Sequence, residues 1–155
     1  MKSSSPKLPL NLEERVRLRK ARIKLKDIAS MNSMELSNVL GSTLERAKLL
    51  CALAVFQTIP SIGSRSAQWV LDLGYYSLDE IKEENGSDLI NRLEKHYGYW
   101  MDPGVEDALR CIVYHANNSN SEKCWFDFTA ERKTYRAQYG YPAGRPTLAW
   151  YEVNK

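Results

Sequence analysis

Residues 49–56 and 67–73 are two apolar runs of helical length, and the chain between them contains Thr58-Ile59-Pro60-Ser61-Ile62-Gly63-Ser64-Arg65-Ser66. Pro60 cannot extend the first run as a helix, because proline lacks an amide hydrogen and clashes with the preceding turn. Gly63 places a backbone without a Cβ where the second helix has to begin. A tight helical hairpin follows. Its free amides are expected at a helix N-terminus with Arg65 beside them. Unpaired donors, a positive dipole end and unobstructed approach suit a phosphate. The same turn also serves as simple packing between two helices, and the residues leave both uses open.

Pro60, Ile62, Gly63, Ala67 and Val70 fall in the register of the helix-hairpin-helix motif, which this stretch resembles. The resemblance implies a grip on nucleic-acid backbone that does not read bases, carried by Ser61, Ile62, Gly63, Ser64, Arg65 and Ser66. Arg65 takes the slot where many such hairpins have lysine, and Ser61 stands where the first glycine is expected. A slot that needs positive φ or bare backbone is served less well by serine. Twenty residues earlier, Leu40-Gly41-Ser42-Thr43-Leu44-Glu45-Arg46-Ala47 aligns with residues 60–67, and Gly41 occupies that slot. A second, degenerate hairpin through Gly41, Ser42 and Thr43, sharing a helix over 44–57, explains this as well as chance likeness between two helix starts.

The net charge of +3 conceals a strong segregation. Residues 1–28 hold nine Lys/Arg against three acids, residues 77–127 five against eleven, and residues 128–155 five against two. Basic ends around an acidic body suit a protein that meets a polyanion, or one whose ends fold back onto its own acidic face. The charge pattern divides the chain into a disordered start plus a basic helix (1–28), a hairpin-bearing helical domain (29–127) and a C-terminal helix with an aromatic, basic tail (128–155). Ser, Pro and Lys in residues 1–10 predict disorder, and residues 12–28 predict a helix with Leu12, Val16, Ile23, Leu25 and Ile28 inward. Arg15, Arg17, Arg19, Lys20, Arg22, Lys24 and Lys26 surround that stripe and form an accessory basic surface for phosphate.

The remaining signals are helical. Asn11 and Asn32 are candidate N-caps, and Gly74 and Gly98 close helices. Ser77 with Glu80 reads as a capping box, Ser87 starts a helix over 88–97, and Asp102-Pro103 starts one to about residue 115. One more is expected over 124–139, and no alternating stretch argues for a sheet. The fold class is therefore all-α, a compact helical domain built around one clear and one degenerate hairpin. No apolar run reaches membrane-spanning length and the start lacks a secretory core, so a cytoplasmic protein without membrane association is expected. Three cysteines without tight spacing fit reduced thiols.

The order of the hairpin, Leu73-Gly74-Tyr75-Tyr76-Ser77-Leu78-Asp79-Glu80, Asp102-Pro103-Gly104-Val105-Glu106-Asp107-Ala108-Leu109-Arg110 and Trp125-Phe126-Asp127-Phe128 resembles the bacterial pathogenicity locus family of small helix-hairpin-helix proteins. The likeness covers roughly residues 30–136. Members often carry a mitomycin-resistance label, which implies DNA association without a mechanism.

Enzymatic readings fare worse. Cys111 and His115 lie four apart on one helical face, with Cys124 and His96 to complete four zinc ligands, but no C-x-x-C pair supports them. Neither histidine has an identifiable orienting partner for nucleophilic catalysis. A glycosylase-type lysine is replaced by Arg65, and Asp79 and Glu83 lack a flanking motif. The expectation is a non-catalytic protein, without metal or cofactor, that binds DNA non-specifically. The alternative is a protein-interaction adaptor on the same helical frame. In the tail, Tyr135, Tyr139, Tyr141, Trp150 and Tyr151 alternate with Arg132, Lys133, Arg136 and Arg145. Such an arm holds single strands or wraps back to bury Trp150, and the cost of bare tryptophan in water favours wrapping.

Overall fold

Short polar side chains begin most of the helices. In a computed structural model that describes residues 5–153, Asn11, Asn32, Thr43, Ser77, Asn85 and Asp102 each accept a hydrogen bond from an amide in the following first turn. They open α1 (Leu12–Lys20), α2 (Ser33–Leu40), α3 (Leu44–Phe56), α5 (Leu78–Ile81), α6 (Gly86–Tyr97) and α7 (Pro103–Asn117). α4 (Ser64–Asp72) and α8 (Thr129–Tyr139) start without a side-chain cap. Short 3₁₀ turns cover Leu25–Ser30, Trp125–Phe128 and Trp150–Glu152. The fold is all-α. Among the described residues there is no strand, only an isolated parallel bridge between Trp100 and Ala149.

Glycines and one arginine end several of the helices. Gly41, Gly74 and Gly98 have positive φ at the ends of α2, α4 and α6. α1 closes in the same way on Arg22, at φ +59°: the Ile23 amide donates to Leu18 O and the Arg22 amide to Arg19 O. The helix expected over 12–28 therefore stops at Lys20. On a continuous helix Ile23 would lie about 140° around from Leu18 and face water. The break returns Ile23, Leu25 and Ile28 to the core. Leu18 and Glu14 are the buried residues of α1, whereas Leu12 is exposed.

Three further boundaries differ from the expectation. Asn85, not Ser87, caps α6, because Asn85 Oδ1 receives both the Asp88 amide and the Ser87 hydroxyl. The Glu80 carboxylate turns to the Tyr76 amide, so only half the box at Ser77 forms. The helix expected over 124–139 is split into the Trp125–Phe128 turn and α8, with Asp127 accepting from the Cys124 amide. Residues 5–10 are ordered rather than loose: Gln57 exchanges two hydrogen bonds with the Lys7 backbone, at 3.0 and 2.9 Å, and Leu8 is buried. The disorder expected for residues 1–4 lies outside the described residues.

One apolar cluster runs from Leu8, Leu18 and Ile28 through Leu50, Phe56 and Ile62 to Leu93, Leu109, Ile112 and Phe128. It takes in buried residues from all three segments marked out by charge. α3 packs between α2, α4 and the Leu25–Ser30 turn, and α7 gathers α4, α5, α6, α8 and the Trp125–Phe128 turn. α6 and α7 approach so closely that a Cβ on Gly86 would lie 2.3 Å from Arg110 Cγ.

Candidate functional site

The turn between α3 and α4 is anchored by what it buries. Ile59 and Ile62 are in the core, and the Ile62 amide donates to Ile59 O at 3.1 Å. Pro60 and Ser61 occupy the two middle positions, and Ser61 has φ +67°. A positive φ at the third residue is the conformation for which glycine is usually chosen. Ile62 is thus a structural member of the set: its side chain is buried and its amide is committed within the turn.

Beyond Ile62 the backbone opens. Gly63 is the N-cap residue of α4, contributes no side-chain bond, and a Cβ on it would meet nothing within 4 Å. The first-turn residues Ser64, Arg65 and Ser66 follow, with Arg65 exposed and Ser64 and Ser66 half-buried. No carboxylate among the described residues pairs with Arg65. The exposed start of α4 combines unclaimed amides, the positive end of a helix dipole and a full cation.

Gly41, Ser42 and Thr43 repeat this backbone in register. Gly41 has φ +64° where Ser61 has +67°, Thr43 is the N-cap residue where Gly63 is, and Ala47 is fully buried like Ala67. The surroundings differ. Thr43 Oγ1 accepts from the Arg46 amide, Ser42 exchanges bonds with Ser37, and Glu45 stands in the slot of Arg65. The Arg17 guanidinium lies over Gly41, 3.1 Å from where its Cβ would be. Arg46 spans to Glu14 at 2.9 Å and to Pro9 O, closing the N-terminal segment over the start of α3. The hydrogen bond from Arg46 holds the Glu14 carboxyl below the usual carboxylate range, against the opposing effect of burial.

The two basic ends fare differently. Arg15, Arg17, Arg19, Lys20, Arg22, Lys24 and Lys26 are all exposed, with Arg17 alone drawn to Glu13, at 3.2 Å. The C-terminal arginines are held inward by carboxylates that are almost fully buried. Arg132 meets Asp107 at 2.8 Å, Arg136 meets Glu106 at 2.9 Å, and Arg145 meets Glu94 at 2.8 Å. Glu106 also takes Arg110 at 2.9 Å, and Thr129 donates to Asp107. Tyr141 lies beneath Arg136 and Arg145, 4.3 and 3.7 Å from ring centroid to guanidinium carbon. The tail therefore wraps back onto the acidic face. An extended arm is ruled out for Arg132, Arg136 and Arg145 by their buried partners.

Wrapping does not bury Trp150. Its amide donates to Trp100 O at 2.8 Å while the residue stays 40% exposed and lines a groove of about 650 Å³. Ser61, Arg65 and Ser66 form one edge of this groove, and Trp69, Trp125 and the Tyr97–Tyr99 pair line its walls. Ser61 Oγ accepts from the Trp125 amide at 2.8 Å, so the hairpin turn directly positions an aromatic residue 64 positions away. The Tyr97 hydroxyl donates to Asp72, and burial with that bond pushes the Tyr97 pKa up. The groove is assembled from α4, the α6–α7 link, the Trp125 turn and the tail. Sequence reasoning missed it, although Trp125 and Trp150 as half-polar aromatics outside any apolar stripe were a usable signal.

The zinc candidates are placed otherwise. Cys111 Sγ and His115 Nε2 both reach the Lys123 carbonyl, at 3.6 and 2.7 Å, while His96 is exposed on α6. Burial pushes the Cys111 thiol up to about 12. Among the described residues no group of three or more His, Cys, Asp or Glu could hold a metal ion. Asp79 pairs with Lys82 at 2.9 Å, and Glu83 is exposed.

A profile of the pathogenicity locus family matches residues 50–134, a span that holds the α3–α4 turn, α4 to α7 and the Trp125 turn. The chain belongs to this family. No curated protein and no solved structure matches the chain. Among the described residues no helix is long and apolar enough to cross a membrane.

Proposed function

We propose that this protein binds DNA without sequence preference and catalyses no reaction, gripping the phosphate backbone through α3, α4 and their turn as a helix-hairpin-helix unit. The observation that carries the reading is the start of α4: an uncapped helix N-terminus on Gly63, open to close approach, beside unpaired Arg65. Phosphates would meet the amides of Ser64, Arg65 and Ser66 and the Arg65 guanidinium. The exposed cations of α1 and the segment to Lys26 would add long-range attraction without selectivity. The turn at Gly41, Ser42 and Thr43 would contribute no phosphate contact, because Thr43 caps it and Glu45 opposes an anion.

Titrating salt against binding to random-sequence duplex tests the reading. Affinity should fall steeply between about 50 and 200 mM salt and should not vary with sequence. An adaptor that uses the hairpin only for packing would bind no duplex tightly at any salt.

A further inference from the structure

Three of the chain's four tryptophans, Trp69, Trp125 and Trp150, line the groove beside the α3–α4 turn. Large aromatic rings ordinarily bury themselves, yet Trp125 and Trp150 remain 39% and 40% exposed. Their backbones are nevertheless fixed: the Trp125 amide by Ser61 Oγ, and the Trp150 amide by Trp100 O. The fold thus anchors the backbones of two tryptophans that line the cavity and does not cover either. At about 650 Å³ the cavity lies within the range of small-ligand pockets, about 300–1,000 Å³.

The lining narrows the occupant. Met101, Val105 and Ala108 add apolar surface to a lining that also carries the polar side chains of Ser61, Ser66 and Gln68, and Arg65 and Asp102 are its charged members. Asp102 is occupied as the cap of α7, taking the Gly104 amide at 2.8 Å. The rest of the wall is largely aromatic, and the free cation, Arg65, stands at the edge formed by the hairpin. A ligand matching this pattern has a flat, uncharged ring joined to an anionic backbone. We infer that the groove takes one unpaired nucleobase from a DNA strand whose phosphate lies at the start of α4, so that the protein prefers DNA with an unstacked base over perfect duplex. The inference rests on the DNA-binding reading above. Base stacking on aromatic side chains tolerates any base, which keeps binding independent of sequence.

The whole 155-residue chain is tested against three otherwise identical duplexes: fully paired, with one bulged nucleotide, and with one bulged abasic site. The bulged nucleotide should raise affinity about tenfold over the paired duplex and quench tryptophan fluorescence. The abasic bulge, equally bent but without a base, should lose most of that gain. Trp150→Ala should bring the bulged-to-paired ratio close to one, whereas Trp150→Phe, which keeps a ring, should retain most of it. Arg65→Ala should weaken binding to all three and leave the ratio in place. Thermal midpoints identify any variant that fails to fold, and the abasic comparison in the native chain then decides alone. Equal gain from abasic and base-bearing bulges, or no gain from either, overturns the inference and leaves non-specific binding standing. Failure to bind any of the three duplexes overturns both readings.

Discussion

The turns before and after α3 match at an offset of twenty residues, with φ +64° at Gly41 and +67° at Ser61, yet one is closed and the other open. At the first, Thr43 spends its hydroxyl on the helix start, Arg17 lies over the backbone and Arg46 ties the N-terminal segment down. At the second, Gly63 offers no side chain and Arg65 replaces the acid found at Glu45. A positive φ, an N-cap position and a buried alanine suffice to build the turn. What the turn is available for depends on the cap residue, the charge two positions later and whatever lies across it. The repeat is thus structural in both copies, and of the two only the second leaves its helix start open beside an unpaired cation.

Glu14→Ala strips the cover from the first turn and should have the largest effect. It removes a buried carboxylate that takes both Arg46 and the Asn11 amide, at a cost of about 2–3 kcal/mol in chemical denaturation. The Glu14 carboxyl is depressed in the folded chain, so its contribution is complete above its ordinary value of 4.5 and is lost as pH falls through the folded value. The variant should therefore lose its deficit relative to the native chain on acidification. DNA affinity at neutral pH should fall only if α1 loosens, which amide exchange would reveal.

Gly41→Ala and Gly63→Ala separate the turns next. At Gly41 a Cβ is strained by the positive φ and crowds the Arg17 guanidinium, so stability should drop by about 1–2 kcal/mol with DNA affinity unchanged once folded. At Gly63 nothing obstructs a Cβ, so only the poorer capping by alanine, less than about 1 kcal/mol, should lower stability while affinity falls severalfold. The same response at both sites would mean that the turns are not divided in role.

The charges legible in the sequence and those the fold leaves available are different sets. Helix class, the caps at Asn11, Asn32 and Asp102 and the glycine stops were readable because each is a local device with its own residue type. The stop of α1 was not, since Arg22 takes the left-handed position without glycine or proline to announce it. Nor was the fate of Arg132, Arg136 and Arg145, because their partners lie 25, 30 and 51 positions away. Glu106 and Asp107 between Val105 and Ala108 were the available clue: two acids inside an apolar stretch need cations from elsewhere. In the candidate hairpin, the slot assigned to Ser61 was visible, and its left-handed backbone agrees with glycine being usual there. Its bond to Trp125 is a long-range contact that no spacing encodes.

Arg65→Ala, with the fold intact, should lower affinity for every sequence alike by about 1 kcal/mol, roughly fivefold, and reduce the salt slope by about one ion. A reversal of Glu45 to Lys, the matching slot, should change affinity less, because Thr43 and Arg17 keep the first turn closed. If Glu45→Lys, a change of two charges against one, raises the binding free energy about twice as much as Arg65→Ala lowers it, only overall charge matters.

Ser61→Gly should leave stability nearly unchanged. Relief of the positive φ and loss of the Trp125 tie each amount to about 1 kcal/mol with opposite sign. Ser61→Ala keeps the strain and loses the tie, so it should melt lower than Ser61→Gly. DNA affinity in Ser61→Gly should rise if bare backbone at the turn governs phosphate approach. It should fall, with altered Trp125 emission, if the hydroxyl's hold on the aromatic wall matters more.

The pairing of Arg145 with Glu94, beside the Trp100–Ala149 bridge, also sets an order of assembly. During synthesis the body through α7 emerges before the residues that close it. Until then the Glu94 carboxylate has the Met101 amide as a partner but no counter-ion, and its charge is best left in water. Docking of the tail is the step at which the last carboxylates leave water. Because opposite charges drive that step, high ionic strength should slow it more than the collapse of the apolar cluster that precedes it.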